Sequence, residues 1–215
     1  MKLTQTGSEA IGQRIGETIS MEFVYLASAS PRRRELLRQI GVPHRVIEAA
    51  VDESVLPGEE GVAYVARLAR AKAEAGVRRR PAGALEPVLA ADTAVVLDGR
   101  ILGKPQGRED GARMLGALAG RTHRVLTAVV LAQGSECRLR LSESEVTFRP
   151  IDTAECRAYW DTGEPCDKAG GYAIQGLAAV FVSRLHGSFS GVVGLPLFET
   201  AQLLGEAGIP RWRRP

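Results

Sequence analysis

The segment Val88–Leu97 constrains this chain more than any other. It reads VLAADTAVVL, with Asp92 and Thr93 as its polar side chains, and it runs into Asp98-Gly99 and then Ile101-Leu102. A short, nearly continuous apolar run of this kind is the pattern of a strand covered on both faces, and Asp-Gly is the pair that closes a two-residue hairpin. A strand buried on both faces needs a layer on each side, which points to an α/β arrangement. The chain has the material for it: 215 residues at 45% hydrophobic allow one large domain with a sizeable core. A mean hydropathy of −0.06 fits a soluble globular protein. The longest apolar runs, such as Val192–Leu197, are far short of a bilayer span, so no membrane segment is expected.

Periodicity places the other elements around this strand. Phe23–Ala27 reads as a strand, after which Ser30 and Pro31 supply an N-cap and a first-turn proline for a helix that ends at Gly41. Val62, Val65, Leu68, Ala69, Lys72 and Ala73 follow the spacing of one helix face and predict a long helix over Val62–Val77. A linker follows over Pro81–Pro87, and then a short helix over Ala112–Leu118. Val125–Ala132 and Arg138–Phe148 read as strands, Asp152 and Glu155 as a capping box for a helix through Tyr159, Leu177–Val182 as a strand and Phe198–Ala207 as a closing helix. The irregular alternation predicts a mixed, curved sheet flanked by helices. Residues 1–20 read as a polar N-terminal extension, 21–210 as a single domain and 211–215 as a basic tail, with Met21 an alternative start of translation.

Charge and cysteine usage narrow the function classes. With 28 Lys and Arg against 25 Asp and Glu, the net charge of +3 is too mild for a dedicated nucleic-acid binder and fits a small anionic substrate equally well. Cys137, Cys156 and Cys166 form no CxxC pair and have no His at zinc-finger spacing, so neither a disulfide framework nor a structural zinc is expected. The expected compartment is the reducing cytoplasm.

Several residues carry chemistry. An aspartate inside a core strand requires a cation, a metal or a proton-transfer task, because an unpartnered buried carboxylate costs several kcal/mol. Lys104 beyond the hairpin is its candidate partner, while Lys72 continues the apolar face of the long helix and carries its ammonium to the edge of the core. The Asp98-Gly99 turn pairs 97 with 100 and 96 with 101, which sets Lys104 opposite Thr93. A bulge at Gly103 is therefore expected, shifting Lys104 to face Asp92. Asp52 and Glu53 offer hard oxygen ligands for Mg²⁺ or Mn²⁺. Ser28, Ser30, Arg32 and Arg33 gather at a strand-to-helix junction, where backbone N–H groups and the helix dipole favour an anion and arginines there imply one. Gly163–Gly176 is a glycine-rich loop containing both charge signs, in which the Gln175 amide has the donor and acceptor pair needed to read the edge of a base. Gly187–Gly191 is a second small-residue loop, open to packing or a partner. His44, His123 and His186 form no nucleophilic triad, and no P-loop or Rossmann fingerprint is present.

Taken in order, Leu26-Ala-Ser-Ala-Ser-Pro-Arg-Arg-Arg-Glu-Leu-Leu37, Val51-Asp-Glu-Ser54, Leu68-Ala-Arg-Ala-Lys-Ala73, Ala90-Ala-Asp-Thr93, Gly103-Lys-Pro105, Gly163-Glu-Pro-Cys-Asp-Lys-Ala-Gly170 and Ile174-Gln-Gly176 resemble the Maf family of nucleoside triphosphate pyrophosphatases over residues 23 to about 205. The resemblance implies two lobes around a central cleft, a fold related to inosine triphosphate pyrophosphatases, and hydrolysis between the α and β phosphates. It implies Asp92 as the proton acceptor, Lys72 and Lys104 as cleft lysines, and Ser28, Ser30, Arg32 and Arg33 as phosphate-binding. Asp92 and Glu53 would share a divalent metal, Mg²⁺ or Mn²⁺, and Arg32, Thr93 and Gln175 would set specificity. Thr93 and Ile174-Gln-Gly176 resemble the branch acting on dTTP and UTP. The rivals are a 7-methyl-GTP-type pyrophosphatase, a nucleotide-binding regulator of septum formation, and RNA binding through Arg211-Trp-Arg-Arg214. A nucleoside triphosphate as substrate and a homodimer complete the expectation, with no membrane and no dedicated nucleic-acid partner.

Overall fold

The computed structural model describes residues 22–213. The expected extension over residues 1–20 lies outside the described residues. Among those described, seven strands and six α-helices follow in the order β1 (Val24–Ala27), α1 (Pro31–Gln39), β2 (His44–Ile47), α2 (Gly61–Arg79), β3 (Val88–Leu97), β4 (Arg100–Leu102), α3 (Arg108–Leu118), β5 (Thr122–Gln133), β6 (Glu136–Phe148), α4 (Thr153–Asp161), β7 (Val182–His186), α5 (Phe189–Val193) and α6 (Leu197–Glu206). One mixed sheet runs β2-β1-β3-β5-β6-β7, with β4 also paired to β3. β1 is parallel to β2 and β3, and the other pairings are antiparallel. The expected mixed sheet flanked by helices is therefore the observed architecture.

The Val88–Leu97 run is the central strand β3. Along one edge it is zipped to β5 from Val88 through Val96. Along the other edge it is shared: β1 pairs with Val88 and Leu89, and β4 with Val95, Val96 and Leu97. Between these partners Ala90–Ala94 faces no strand among the described residues, and Asp92 sits at the middle of that gap. Asp98 and Gly99 both have positive φ, 51° and 77°, as the primed turn of a tight hairpin requires.

Side chains of β3 alternate between two faces. Val88, Ala90, Ala94 and Val96 pack with Val65, Ala69 and Ala73 of α2. This contact is built from small residues: a Cβ at Gly76 would lie 2.7 Å from Val88 and 2.9 Å from Ala27. The helix backbone thus approaches the strand closely enough to lay Lys72 over it. On the opposite face Leu89 and Ala91 join Val24, Leu26, Leu203 and Leu204 in one cluster, while Val95 and Leu97 join Leu115, Phe148 and Phe181 in another. Between the two clusters runs a polar seam of directly opposed residues, Thr93, Thr127 and Ser142.

Four expectations are corrected. No bulge occurs at Gly103: β4 keeps the simple hairpin register as far as Val95 opposite Leu102 and then ends, because the chain turns away at Gly103, whose carbonyl accepts from Gly170 N, and Pro105 has no N–H to continue a ladder. Leu177–Phe181 is a 3-10 helix rather than a strand, with the strand beginning only at Val182. Its exposed Leu177 and Val180 show a turn's three-residue period, which a short apolar sequence does not distinguish from a strand. The capping box is half formed: Asp152 accepts from Glu155 N at 2.8 Å, but the Glu155 carboxylate is held by Arg149. Ser30 occupies the N-cap position of α1 without a side-chain cap bond, and it is Ser28 whose hydroxyl accepts from a backbone N–H, that of Ser30.

Candidate active site

A cleft of about 770 Å³ opens beside the gap in β3. Ser28, Ser30, Arg32, Arg33, Glu53, Lys72, Asp92, Thr93, Lys104 and Gln175 all line it. Ten side chains picked from segments spread over nearly 150 residues thus reach one cavity.

Asp92 is its buried acid, 6% exposed. Being on the α2 face of β3, it meets the Lys72 ammonium at 2.6 Å. Lys72 also donates to Glu53 at 2.6 Å, and Glu53 accepts from Lys104 at 3.2 Å. The expected pairing of Lys104 with Asp92 is thereby corrected: with no bulge to carry it inward, Lys104 stays exposed and reaches the loop acid instead. Asp52 does not join the cluster, and its carboxylate accepts from Ser54 N within its own loop.

Electrostatics separate the two acids. Burial raises the Asp92 carboxyl above the ordinary aspartate range, against the lowering effect of Lys72 and Arg33. Burial also pushes Glu53 upward, but the hydrogen bonds and charges of Lys72 and Lys104 outweigh it and leave Glu53 below its ordinary value. Burial thus raises the proton affinity of Asp92 while the two lysines lower that of its neighbour.

Thr93 points to the other face of the sheet, into the polar seam. Arg33 donates there to Thr93 Oγ1 at 3.3 Å, to Ser28 Oγ at 3.1 Å and to the Gly194 carbonyl at 2.7 Å. Burial lowers its guanidinium from the usual arginine value, with Asp92 opposing. A guanidinium has five N–H donors, so three of these bonds anchor it and leave others for an anion. The anchor extends to Thr127, whose hydroxyl donates to the Gly191 carbonyl at 2.8 Å and lies 3.0 Å from Thr93 Oγ1. Helix α5, into which the small-residue segment Gly187–Gly191 runs, therefore packs against the underside of the site. Arg32 faces the cleft mouth, 4.0 Å from Asp167 on the opposite wall.

Sequence reasoning missed the groups that hold the Glu53 loop. Tyr64 donates to the Glu53 carbonyl at 2.9 Å, and Arg67 grips Glu59 at 2.6 Å and the Ser54 carbonyl at 3.0 Å. Burial, with Asp92 and Glu53 nearby, raises the Tyr64 phenol to about 12, so it remains a donor at neutral pH. The signal was available: Tyr64, Leu68 and Lys72 are four residues apart on one helix face.

Two acids, two lysines and anchored arginines around one cleft are the furniture of reactions on phosphate esters and anhydrides. The comparisons agree. The family described as Maf-like protein matches residues 23–207. A protein of Aromatoleum aromaticum named dTTP/UTP pyrophosphatase is 55% identical over 198 residues, spanning 87% of this chain and 96% of its own length. Proteins of the same name from Alkalilimnicola ehrlichii and Nitrosomonas europaea are 58% and 55% identical, covering 85% and 86% of this chain and 92% and 95% of their own lengths. Among solved structures, the Staphylococcus aureus Ham1 protein aligns over 58% of this chain and 71% of its own at 15% identity, with a TM-score of 0.38, too slight a likeness to reason from. The match to the family takes in every element from β1 to the end of α6, and the chain belongs to the Maf-like protein family.

Proposed function

We propose that this protein hydrolyses nucleoside triphosphates, dTTP and UTP foremost, to the monophosphate and pyrophosphate. The observation that carries the reading is Asp92, buried at the gap in β3, 2.6 Å from Lys72 and within a cleft rimmed by Lys104, Arg32 and Arg33. The relatives named dTTP/UTP pyrophosphatase at 51–58% identity support the substrate class.

In this reading the oxygen of a water molecule bonds to the α-phosphorus. The bond from that phosphorus to the oxygen bridging to the β-phosphate breaks, and its electron pair leaves with pyrophosphate. The proton released by the water passes to Asp92. The raised affinity of Asp92 for a proton suits that task, since a general base is most effective with a pKa near the working pH. Lys72, Lys104 and the free donors of Arg33 offset charge on the phosphate oxygens. Gln175, exposed at the cleft wall, offers its amide to the base.

A divalent cation, Mg²⁺ or Mn²⁺, belongs to the same proposal. Among the described residues no group of three or more His, Cys, Asp or Glu is placed to hold a metal. The chain instead offers two carboxylates, Asp92 and Glu53, facing each other across the Lys72 ammonium at 2.6 Å from each. That donor set fits a hard cation which takes one or two carboxylates and completes its shell with water and phosphate. Bound with the nucleotide, such an ion neutralises charge on the phosphate oxygens. A cytoplasmic setting and a homodimer are part of the reading through the family resemblance, with the free Cys137, Cys156 and Cys166 suiting a reducing compartment. No helix among the described residues is long and apolar enough to cross a membrane.

The test is product identification from dTTP, UTP, CTP, ATP, GTP and 7-methyl-GTP with Mg²⁺ or Mn²⁺, comparing the native protein with Asp92→Asn. The expected result is monophosphate and pyrophosphate from dTTP and UTP, reduced at least ~10³-fold in the variant. Turnover of 7-methyl-GTP alone, or of nothing by folded protein, overturns it.

A further inference from the structure

The turn that carries Gln175 is held at both ends by one pair of side chains. On its N-terminal side, Ala173 N donates to the Tyr159 hydroxyl at 3.2 Å. On its C-terminal side, Leu177 N and Ala178 N donate to the Glu164 carboxylate at 3.0 and 3.2 Å. The pair closes on itself, because the Tyr159 hydroxyl donates to Glu164 Oε1 at 2.7 Å. Tyr159 is itself fixed, 4% exposed and edge-on to Phe181 with ring centroids 5.4 Å apart. The carboxylate lies so close over the turn that a Cβ at Gly176 would stand 2.1 Å from Glu164 Oε2, so only glycine follows Gln175 without displacing it.

We propose that Tyr159 and Glu164 are positioning residues for base recognition: they set where the Gln175 amide is presented, without touching the nucleotide themselves. The inference rests on the proposed function, in which Gln175 meets the base. Its chemical logic is that an exposed amide on an irregular turn recognises a heterocycle only if its backbone is fixed beforehand, since ordering it during binding costs affinity. A neutral amide has no charge to compensate for poor placement. The phosphate-facing groups lie on α1, α2, β3 and the loops that follow β1, β2 and β4, apart from the Gly163–Gly176 segment, so the clamp acts on one half of the substrate.

That division supplies the test. Steady-state KM and kcat for UTP are measured for the native protein, Gln175→Ala, Glu164→Ala, Tyr159→Phe and the Gln175→Ala/Glu164→Ala double variant, along with inhibition by inorganic tripolyphosphate, which has the phosphates and no base. Glu164→Ala is expected to raise the KM for UTP roughly tenfold with kcat within about twofold, and Tyr159→Phe to do the same to a lesser extent. The tripolyphosphate inhibition constant stays unchanged in both. Adding Glu164→Ala to Gln175→Ala changes KM by less than about twofold, because the two act through one contact. A tripolyphosphate constant that rises in step with the KM for UTP, or full additivity in the double variant, overturns the proposal and marks the pair as general scaffolding. Tyr159→Phe retains ring and packing and covers the case of a Glu164→Ala protein that fails to fold. If Gln175→Ala leaves the KM for UTP unaltered, base reading by that amide falls and the proposal with it. If the native protein does not turn over UTP, the functional reading itself fails before any variant is compared.

Discussion

The two walls of the cleft are built by opposite means. The charged wall sets its principal groups on regular elements, Asp92 on a central strand, Lys72 on a long helix and Arg33 on the first turn of another, with Lys72 2.6 Å from Asp92 and Glu53 and Lys104 added from loops. The base-facing wall is irregular backbone, 3-10 turns with Gly163, Gly170 and Gly171 at positive φ, held by side chains that accept from main-chain N–H groups. Charges act over distance and tolerate small errors of placement, but they need anchors stiff enough to stop them from collapsing onto one another. An amide offered to a heterocycle, the role proposed for Gln175, tolerates less error and gains little from charge, and its wall is shaped by backbone.

The largest effect expected from disturbing this contrast comes from Lys72→Met. It removes the cation that holds the Asp92 proton affinity down, so kcat/KM at neutral pH falls by roughly 10² or more and the acidic limb of the pH profile moves to higher pH. An unmoved limb would mean that Asp92 is not the titrating base. Next is Glu53→Gln. Because the Glu53 charge raises Asp92, its removal moves the same limb to lower pH, while the metal concentration for half-maximal rate rises about tenfold. Shifts of the limb in the same direction for both variants would refute the coupling between the two acids.

The smallest effect on rate belongs to the other wall. His123 is buried behind it, with Nε2 2.8 Å from the Tyr172 hydroxyl next to the Gln175 turn, and burial lowers its pKa to about 4. The unfolded chain takes up this proton near the ordinary histidine value of 6.5, whereas the folded protein resists until about pH 4. The stability due to the neutral ring is therefore complete above pH 6.5 and lost as pH falls from there to about 4, on the order of 3 kcal/mol in all. His123→Phe should flatten the melting temperature across that window and leave kcat for UTP nearly unaltered. An equally steep decline in the variant would assign the slope to other groups.

Much of the phosphate-facing wall was legible in the sequence, since it rests on periodic elements. The apolar run announces β3 and the improbable aspartate within it announces a partner. The helical spacing of Val65, Leu68 and Lys72 brings a lysine to the core edge without saying which acid it meets; the structure pairs it with Asp92. The hairpin register holds as far as Leu102 opposite Val95; beyond it the ladder ends without the expected bulge, and Asp92 takes its cation from helix α2 instead of from the hairpin, a tertiary contact that strand register does not encode. The other wall was legible only as a glycine-rich loop. Its organising contact joins Glu164 to Leu177 and Ala178 across 13 and 14 residues of non-repeating backbone, and no period in the sequence encodes a distance of that kind. The strand expected over Leu177–Val182 gives way to a 3-10 helix over Leu177–Phe181 for the same reason: its conformation is set by what receives its N–H groups, a fact of tertiary structure.

The forked edge of β3 carries a last consequence. Exposed strand edges invite any extended chain to add itself, and sheets grow by that route. Here the invitation extends over five residues, Ala90–Ala94, and is fenced at both ends by β1 and β4. Bounded in this way, the opening faces the cleft of about 770 Å³ and not a neighbouring strand. Gly103-Lys104-Pro105 maintains it, ending β4 with a carbonyl committed elsewhere and a proline that donates nothing. Continuing β4 by three residues in its existing register would set position 105 opposite Asp92 and close that edge of the sheet over it, so the cleft exists because the sheet is prevented from finishing itself.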